Sequence, residues 1–192
     1  MINLSEPNQN DIILDPFCGS GTIITEAMIM GYQNLIGSDI SAKAITDTKT
    51  NVEWIKNNLK ISCPEFSLYN LDVKNLEEKI SPTSIDKIIA EPFLGKPLKG
   101  NESYEEIVKQ GKELKLLYLE AFKVFKKILK AGGVVVFIFP HYQKGEQIIT
   151  TSQPNEIEAL GFKLLPFAGK DYLTYERPGQ RLGREIWRFI KK

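Results

Sequence analysis

The sequence predicts one α/β domain built on a doubly wound, mostly parallel sheet. Short apolar runs alternate along the chain with longer segments of helical period, which is the pattern of repeated strand–helix units. A glycine-containing turn at 15–22 joins the first apolar run to the first helical segment, as in nucleotide-binding folds of this class. The length of 192 residues suits a single domain with one hydrophobic core.

The composition is that of an ordinary globular protein, with 42% hydrophobic and 26% charged residues. A net charge of +1 argues against binding of nucleic acid by overall electrostatics alone, although local basic patches could still bind it. Because there is neither an apolar run of spanning length nor a signal peptide at the start, a cytoplasmic protein is expected. Cys18 and Cys63 lack metal-ligand spacing and are expected to be reduced thiols.

The periodicity predicts seven strands, at 11–14, 34–37, 65–69, 87–90, 133–139, 162–165 and 185–190. The clearest helix is predicted at 41–60, with Ser41 as its N-cap. The longest is predicted at 104–130, where Gly132 and Gly133 are expected to stop it. A loop at 93–103 separates the fourth strand from this helix and has the length of a functional loop.

The first strand runs directly into DPFCGSGT at 15–22, and a helix follows at 23–30. Gly19 and Gly21 would allow a ligand to approach the backbone closely, and the helix start offers unpaired N–H groups. Asp39 follows Gly19 by 20 residues and ends the second strand, where an acid can bind ribose hydroxyls. Ile24 occupies the position at which a dinucleotide fingerprint requires Gly or Ala, so NAD is disfavoured.

This loop resembles the first motif of class I S-adenosylmethionine-dependent methyltransferases, in the form found among RNA and DNA amino-methyltransferases. The resemblance implies a Rossmann-like methyltransferase fold with seven strands in the order 3-2-1-4-5-7-6 and an antiparallel last strand. It also implies S-adenosylmethionine as cofactor, with Asp15 and the Gly19–Gly21 backbone at the methionine moiety, Asp39 at the ribose and Asp72 by the adenine amino group. Asp72, taken alone, is equally well a helix cap. The cofactor-binding residues expected on this basis are Asp15, Phe17, Gly19, Ser20, Gly21, Thr22, Asp39, Ile40, Asp72 and Val73.

The fourth strand ends in Glu91-Pro92-Phe93, where the amino-methyltransferases carry Asp or Asn, then Pro-Pro and an aromatic residue. An amine conjugated to a base is a poor nucleophile and needs acceptors that direct its lone pair at the methyl group. By this resemblance Glu91 and the Pro92 carbonyl are expected to supply the acceptors, and Phe93 to stack on a flipped base. Because Glu is longer than Asp, the alternative that Glu91 is only a surface acid stays open.

The segment YERPGQRLGREI at 175–186 resembles the closing motif of the THUMP-containing tRNA guanosine-N2 methyltransferases that act on guanosine 10. The resemblance implies tRNA as substrate and no metal. The expected phosphate contacts, which are equally well ordinary surface residues, are Lys96, Lys99, Arg177, Arg181 and Arg184. Since about 11 residues precede the first strand, a THUMP-type RNA-binding domain is expected to be absent from the chain at 1–192. A domain or partner subunit supplied in cis or in trans is then expected to bind the RNA.

Three functions remain open at this point. They are an RNA guanine-N2 methyltransferase, a DNA adenine or cytosine amino-methyltransferase, and a cofactor-binding subunit without catalysis. The arginines of the closing segment favour RNA, and 192 residues leave little room for the target-recognition insertion of a DNA enzyme. The altered fourth motif keeps the third function open.

Overall fold

A computed structural model describes residues 1–61, 65–177 and 180–192, so Cys63 and the Pro178-Gly179 pair of the closing segment lie outside it. The described helices are α1 (Thr22–Ile29), α2 (Ala42–Leu59), α3 (Tyr104–Ile128) and α4 (Pro154–Ala159), with 3-10 helices at Ile2–Ser5 and Val73–Glu78. The described strands are β1 (Ile12–Asp15), β2 (Asn34–Asp39), β3 (Glu65–Asn70), β4 (Ile85–Ala90), β5 (Leu129–Lys144), β6 (Gln147–Thr150), β7 (Phe162–Leu164), β8 (Tyr172–Glu176) and β9 (Leu182–Lys191).

The central sheet has the order β3-β2-β1-β4-β5-β9-β7, which confirms the predicted fold. Strands β1 to β5 are parallel, and β9 runs antiparallel to β5. Two described strands were not predicted. They are β6, which pairs with β5, and β8, which pairs with β9. They form because β5 continues to Lys144, beyond the predicted end at 139, and because β9 begins at Leu182, before its predicted start at 185.

The two faces of the sheet carry different layers. One face packs against α3, whose Tyr118 and Phe122 rings contact Phe137 and Phe139 of β5. The opposite face contributes Ile13 and Ile89 to a second cluster with α1 and α2. Because β1 is parallel to its neighbours β2 and β4, the carboxyl ends of these three strands meet at one edge of the sheet. Ligands bind at this edge in doubly wound sheets.

The longest helix differs from prediction at its end. Ser103 and Glu106 form a capping box at its start, where the sequence places it. The helix ends at Ile128 because Leu129 is already extended, with ψ 140°, and begins β5. Gly132 and Gly133 therefore lie inside β5, beside an irregularity in its pairing with β4, and do not stop the helix. Among the described residues, no helix combines the length and apolarity needed to span a membrane.

Candidate active site

The loop after β1 is held in one conformation by backbone bonds. The Cys18 N–H donates to the Ser38 carbonyl over 2.9 Å, and the Gly21 N–H donates to the Cys18 carbonyl over 2.7 Å. Gly21 has φ 89°, and a Cβ at this position would lie 2.7 Å from Thr48 Cγ2. Both the left-handed backbone and this contact require glycine.

Two side chains of α2 support the same loop, and the sequence did not identify them as part of the site. Thr48 Oγ1 donates to the Gly19 carbonyl over 2.9 Å, and Asn51 Nδ2 donates to the Ser20 carbonyl over 2.8 Å. Thr48 is completely buried on a helix face that is otherwise mostly apolar. A buried hydroxyl needs a hydrogen-bond partner. A threonine on an apolar helix face was therefore the feature of the sequence that could have indicated a contact with another segment.

Asp39, at the end of β2, links the loop to the next segment. Its Oδ2 accepts from the Gly19 N–H and its Oδ1 from the Ser41 N–H, each over 2.9 Å. A carboxylate has about four acceptor positions, so both oxygens retain capacity for ligand hydroxyls. The next residue, Ile40, is 72% exposed and offers an apolar surface beside this acid.

The end of β3 lies beside the end of β2. The Leu71 N–H donates to the Asp39 carbonyl over 3.0 Å. Asp72 accepts from the Lys74 N–H over 3.0 Å and thereby caps the 3-10 helix, as its sequence context allowed. Val73 is 4% exposed and belongs to the core. Asp39, Ile40 and Asp72 thus share one edge of the sheet.

A cavity of about 600 Å³ borders this loop, within the size range of small-molecule sites. It brings together several predicted residues from the first motif, the fourth motif and the closing segment. Those lining it are Asp15, Phe17, Gly19, Ser20, Thr22, Glu91 and Arg177, together with Met1, Ile2 and Asn3 of the N-terminal turn. Asp39, Ile40, Asp72 and Val73 do not line it, but the Gly19–Asp39 bond joins the two groups.

Asp15 is the buried acid of this cavity. The residue is 1% exposed, and its Oδ1 accepts from the Phe17 N–H over 3.1 Å. Burial raises the pKa of Asp15 to about 8, the Phe17 bond opposes this rise, and the nearby charges of Asp39 and Glu91 add to it. Burial also raises the pKa of the Cys18 thiol to about 12, so this cysteine is a neutral thiol.

The fourth motif follows β4 directly. The Glu91 carboxylate pairs through Oε1 with Arg184 Nε at 2.8 Å, and Phe93 extends into solvent with 58% of its surface exposed. Two tyrosines fix the backbone that follows Glu91. Tyr118 Oη donates to the Phe93 carbonyl over 2.7 Å, and Tyr142 Oη donates to the Leu94 carbonyl over 2.6 Å.

The five basic residues predicted to contact phosphates do not have equivalent positions. Lys96, Lys99, Arg177 and Arg181 are exposed, and Arg181 also donates from Nη1 to the Gly100 carbonyl over 3.1 Å. Arg184 is only 8% exposed and directs its guanidinium at Glu91. Its position is that of an internal ion-pair partner rather than of a free surface cation.

His141 lies away from the cavity. Its imidazole sits between Glu185, at 3.5 Å, and Glu176, at 3.6 Å. It also covers Gly183, where a Cβ would lie 2.1 Å from Nε2. The neighbouring Glu185 carboxylate raises the pKa of His141 against the opposing effect of burial. Across the described ranges, no three His, Cys, Asp or Glu side chains are grouped as around a metal ion.

Comparison with protein families gives one match over most of the chain. Residues 1–163 match the family described as the RMKL-like methyltransferase domain.

Two curated relatives extend this match. A tRNA (guanine(10)-N2)-dimethyltransferase of Methanothermobacter thermautotrophicus is 30% identical over 151 residues, which are 78% of this chain and 39% of that protein. The human U6 snRNA (guanine-N(2))-methyltransferase THUMPD2 is 27% identical over 183 residues, which are 93% of this chain and 29% of that protein. The chain therefore spans well under half the length of either relative.

Solved structures confirm the fold. TrmN from Thermus thermophilus has a TM-score of 0.67 at 20% identity, covering 100% of this chain and 47% of that one. A SAM-dependent methyltransferase from Methanosarcina mazei has a TM-score of 0.69 at 17% identity, covering 99% of this chain and 96% of that one. The family match over residues 1–163 shows that the chain belongs to the RMKL-like methyltransferase-domain family.

Proposed function

We propose that this chain transfers a methyl group from S-adenosylmethionine to the exocyclic N2 amine of guanine in RNA, with tRNA as the substrate. One observation carries the proposal. The glycine loop after β1 and Glu91 after β4 line the same cavity of about 600 Å³, so a cofactor and a target amine would meet there. The names of the curated relatives, which are guanine-N2 methyltransferases acting on tRNA or U6 snRNA, support the choice of substrate.

The residues present fit this cofactor. The left-handed Gly19 and Gly21 let the backbone approach a ligand closely, and Thr22 and Ile23 bring the start of α1 to the cavity. Asp39 keeps acceptor capacity for ribose hydroxyls, while the exposed Ile40 offers an apolar surface to a base. Asp72 would then bind the adenine amino group, with Val73 fixing the backbone of that segment from the core.

The protein contributes positioning and charge. Bound at this loop, S-adenosylmethionine would supply a methyl carbon on a positively charged sulfur, which departs as a neutral thioether when nitrogen bonds to that carbon. Glu91 and the Pro92 carbonyl would accept the two N–H groups of the amine, so that its lone pair faces the methyl carbon. The carboxylate of Glu91 would then take the proton that the methylated amine loses. Phe93, which is largely exposed and follows Glu91 by two residues, would stack on the base.

The test is transfer of tritium from labelled S-adenosylmethionine to unmodified tRNA, total RNA and plasmid DNA. Transfer to RNA is expected, and Glu91→Ala should lower turnover by at least about 100-fold while cofactor affinity stays within about twofold. Glu78→Ala, at an exposed acid outside the cavity, is the matched control. Transfer only to DNA would favour a DNA amino-methyltransferase. Cofactor binding without transfer to any acceptor, by the chain alone and by its fusion to a THUMP-type module, would indicate a binding subunit.

We further propose that tight tRNA binding needs an RNA-binding domain or partner subunit supplied in cis or in trans. The predicted phosphate contacts that are exposed, Lys96, Lys99, Arg177 and Arg181, are few, and each phosphate contact weakens as salt rises. Turnover on tRNA should therefore be low for this chain alone and higher when it is fused to a THUMP-type module, at about 150 mM salt. Equal turnover by both proteins would contradict this proposal.

A further inference from the structure

Arg184 is a buried cation that the chemistry above does not use. It lies in β9 opposite Pro140 of β5, and only 8% of its surface is exposed. Removing a guanidinium from water is unfavourable unless an anion and hydrogen bonds compensate for the loss of solvation. The compensation comes from Glu91 at 2.8 Å and from Gln180 Oε1, to which Nη1 donates over 3.3 Å.

The sheet brings these distant residues together. Ala90 of β4 pairs with Phe137 of β5, so Glu91 begins the chain just beyond the paired end of β4. Arg184 is opposite Pro140, three residues further along β5 in the same direction. Arg184 therefore reaches Glu91 from across β5, although 93 residues separate them along the chain.

The pair uses one oxygen of the carboxylate. Arg184 Nε contacts Oε1 of Glu91, and no residue in the described parts of the chain bonds to Oε2. The Glu91 side chain is 42% exposed and lines the cavity, whereas that of Arg184 is 10% exposed. One end of the pair is thus fixed in the protein, and the other end faces the space where the target amine is expected.

We propose that Arg184 is a positioning residue, which holds the Glu91 carboxylate through Oε1 so that Oε2 receives the amine. The inference rests on the proposed function, because Glu91 has this task only if the chain methylates an amine. Arg184, which the sequence grouped with phosphate contacts, thus orients the Glu91 carboxylate that accepts the amine hydrogen. It also accounts for the length of Glu at this position, since a shorter Asp would withdraw the carboxylate from Nε by one methylene.

The test measures kcat, KM for tRNA and Kd for S-adenosylmethionine in Arg184→Gln, Glu91→Gln and the double variant. We expect Arg184→Gln to lower kcat by about 10- to 100-fold, with cofactor Kd within about twofold. In the Glu91→Gln background the same change should lower kcat by less than about twofold, because the group being positioned is already altered. Arg188→Gln is the matched control, since Arg188 lies on the same face of β9 and pairs with Glu6 outside the cavity.

Loss of a buried partner can unfold a protein, so Arg184→Lys is the second variant. It keeps the charge but not the planar guanidinium, and it should retain cofactor binding with an intermediate kcat. A phosphate-binding role for Arg184 would instead raise KM for tRNA and make the loss depend on salt, which would overturn the positioning role. Equal losses in both Glu91 backgrounds, or an equal loss in Arg188→Gln, would also overturn it. A wild-type chain that binds the cofactor but methylates no RNA, even when fused to a THUMP-type module, would refute the proposed function itself.

Discussion

The substitution Asp15→Asn separates the stability of this protein from its ability to bind a cationic cofactor. Asp15 is buried at the end of β1, where burial raises the pKa of its carboxyl to about 8 from the ordinary value of 3.8. Between these two pH values the folded chain retains a proton that the unfolded chain has released. The free energy of unfolding therefore falls as pH rises through this window.

The magnitude follows from the same shift. The loss is up to about 1.4 kcal/mol per pH unit, or at most about 6 kcal/mol at pH 8 and above. An amide has the shape of the carboxyl, still accepts the Phe17 N–H and has no charge to desolvate. Asp15→Asn should thus leave the free energy of unfolding nearly unchanged at about pH 4 and raise it by up to about 6 kcal/mol at pH 8.5.

Cofactor binding should change in the opposite direction. S-adenosylmethionine carries a cationic sulfonium, which favours the ionised form of a neighbouring acid. Wild-type affinity should then rise between pH 6 and 8, by up to about tenfold per unit, with release of a proton on binding. The asparagine variant should bind more weakly, with affinity that changes less over this range.

Urea denaturation at about pH 4 and pH 8.5 tests the effect on stability, and calorimetry in two buffers of different ionisation enthalpy tests proton release. Asp47→Asn, at a partly exposed acid on α2, is the control and should change neither quantity. The reasoning is refuted if the wild type and Asp15→Asn show the same dependence of stability on pH. Proton release that persists in the variant would assign the released proton to another group.

Three further outcomes are expected. Gly21→Ala should destabilise the fold by about 1–3 kcal/mol and weaken cofactor binding, because strain and the clash at this position act together, whereas Gly145→Ala, at a positive φ in open space, should leave binding unchanged. Asp39→Ala should weaken cofactor binding by about 1–3 kcal/mol in calorimetry, since hydrogen bonds to a charged acceptor are lost; unchanged affinity would contradict the ribose role. His141→Gln should destabilise the fold most at low pH, because the neighbouring Glu185 carboxylate raises the histidine pKa and the resulting stabilisation is lost as pH rises through that value. A constant difference in unfolding free energy from pH 5 to 9 would contradict this.

The parts of the fold that follow from local pattern were predictable from the sequence. The strand, glycine loop and helix at 12–29 and the start of α3 depend on neighbouring residues, and they lie within about one residue of their predicted positions. Strand β6 was missed because Ile148 is 67% exposed and its short segment shows no apolar face. Strand β8 is mostly exposed as well, and both strands form only against partners supplied by β5 and β9.

The candidate site divides in the same way. Its loop and acids follow motifs, whereas its supports depend on contacts between distant segments. From the sequence, Thr48 is one more residue of a helix face and Arg184 is a surface cation. In the structure, Thr48 bonds to the Gly19 carbonyl and Arg184 pairs with Glu91. Periodicity along one segment cannot reveal such pairs, because it reports which face is buried and not what lies opposite.

Burial of charge adds an independent argument about where function lies. A sequence selected only for stability would replace Asp15 by an uncharged residue, since its ionised form is unfavourable in the folded chain. It would equally have no need of Arg184, because a buried ion pair is often no better than apolar residues of similar volume. Both unfavourable choices converge on one cavity, Asp15 by lining it and Arg184 through Glu91. Ionisable groups with perturbed pKa values or deep burial are concentrated at functional sites. Substitutions at this cavity should therefore lower activity more than stability. Substitutions at His141 and Glu185, which are also buried but do not line the cavity, should act mainly on stability.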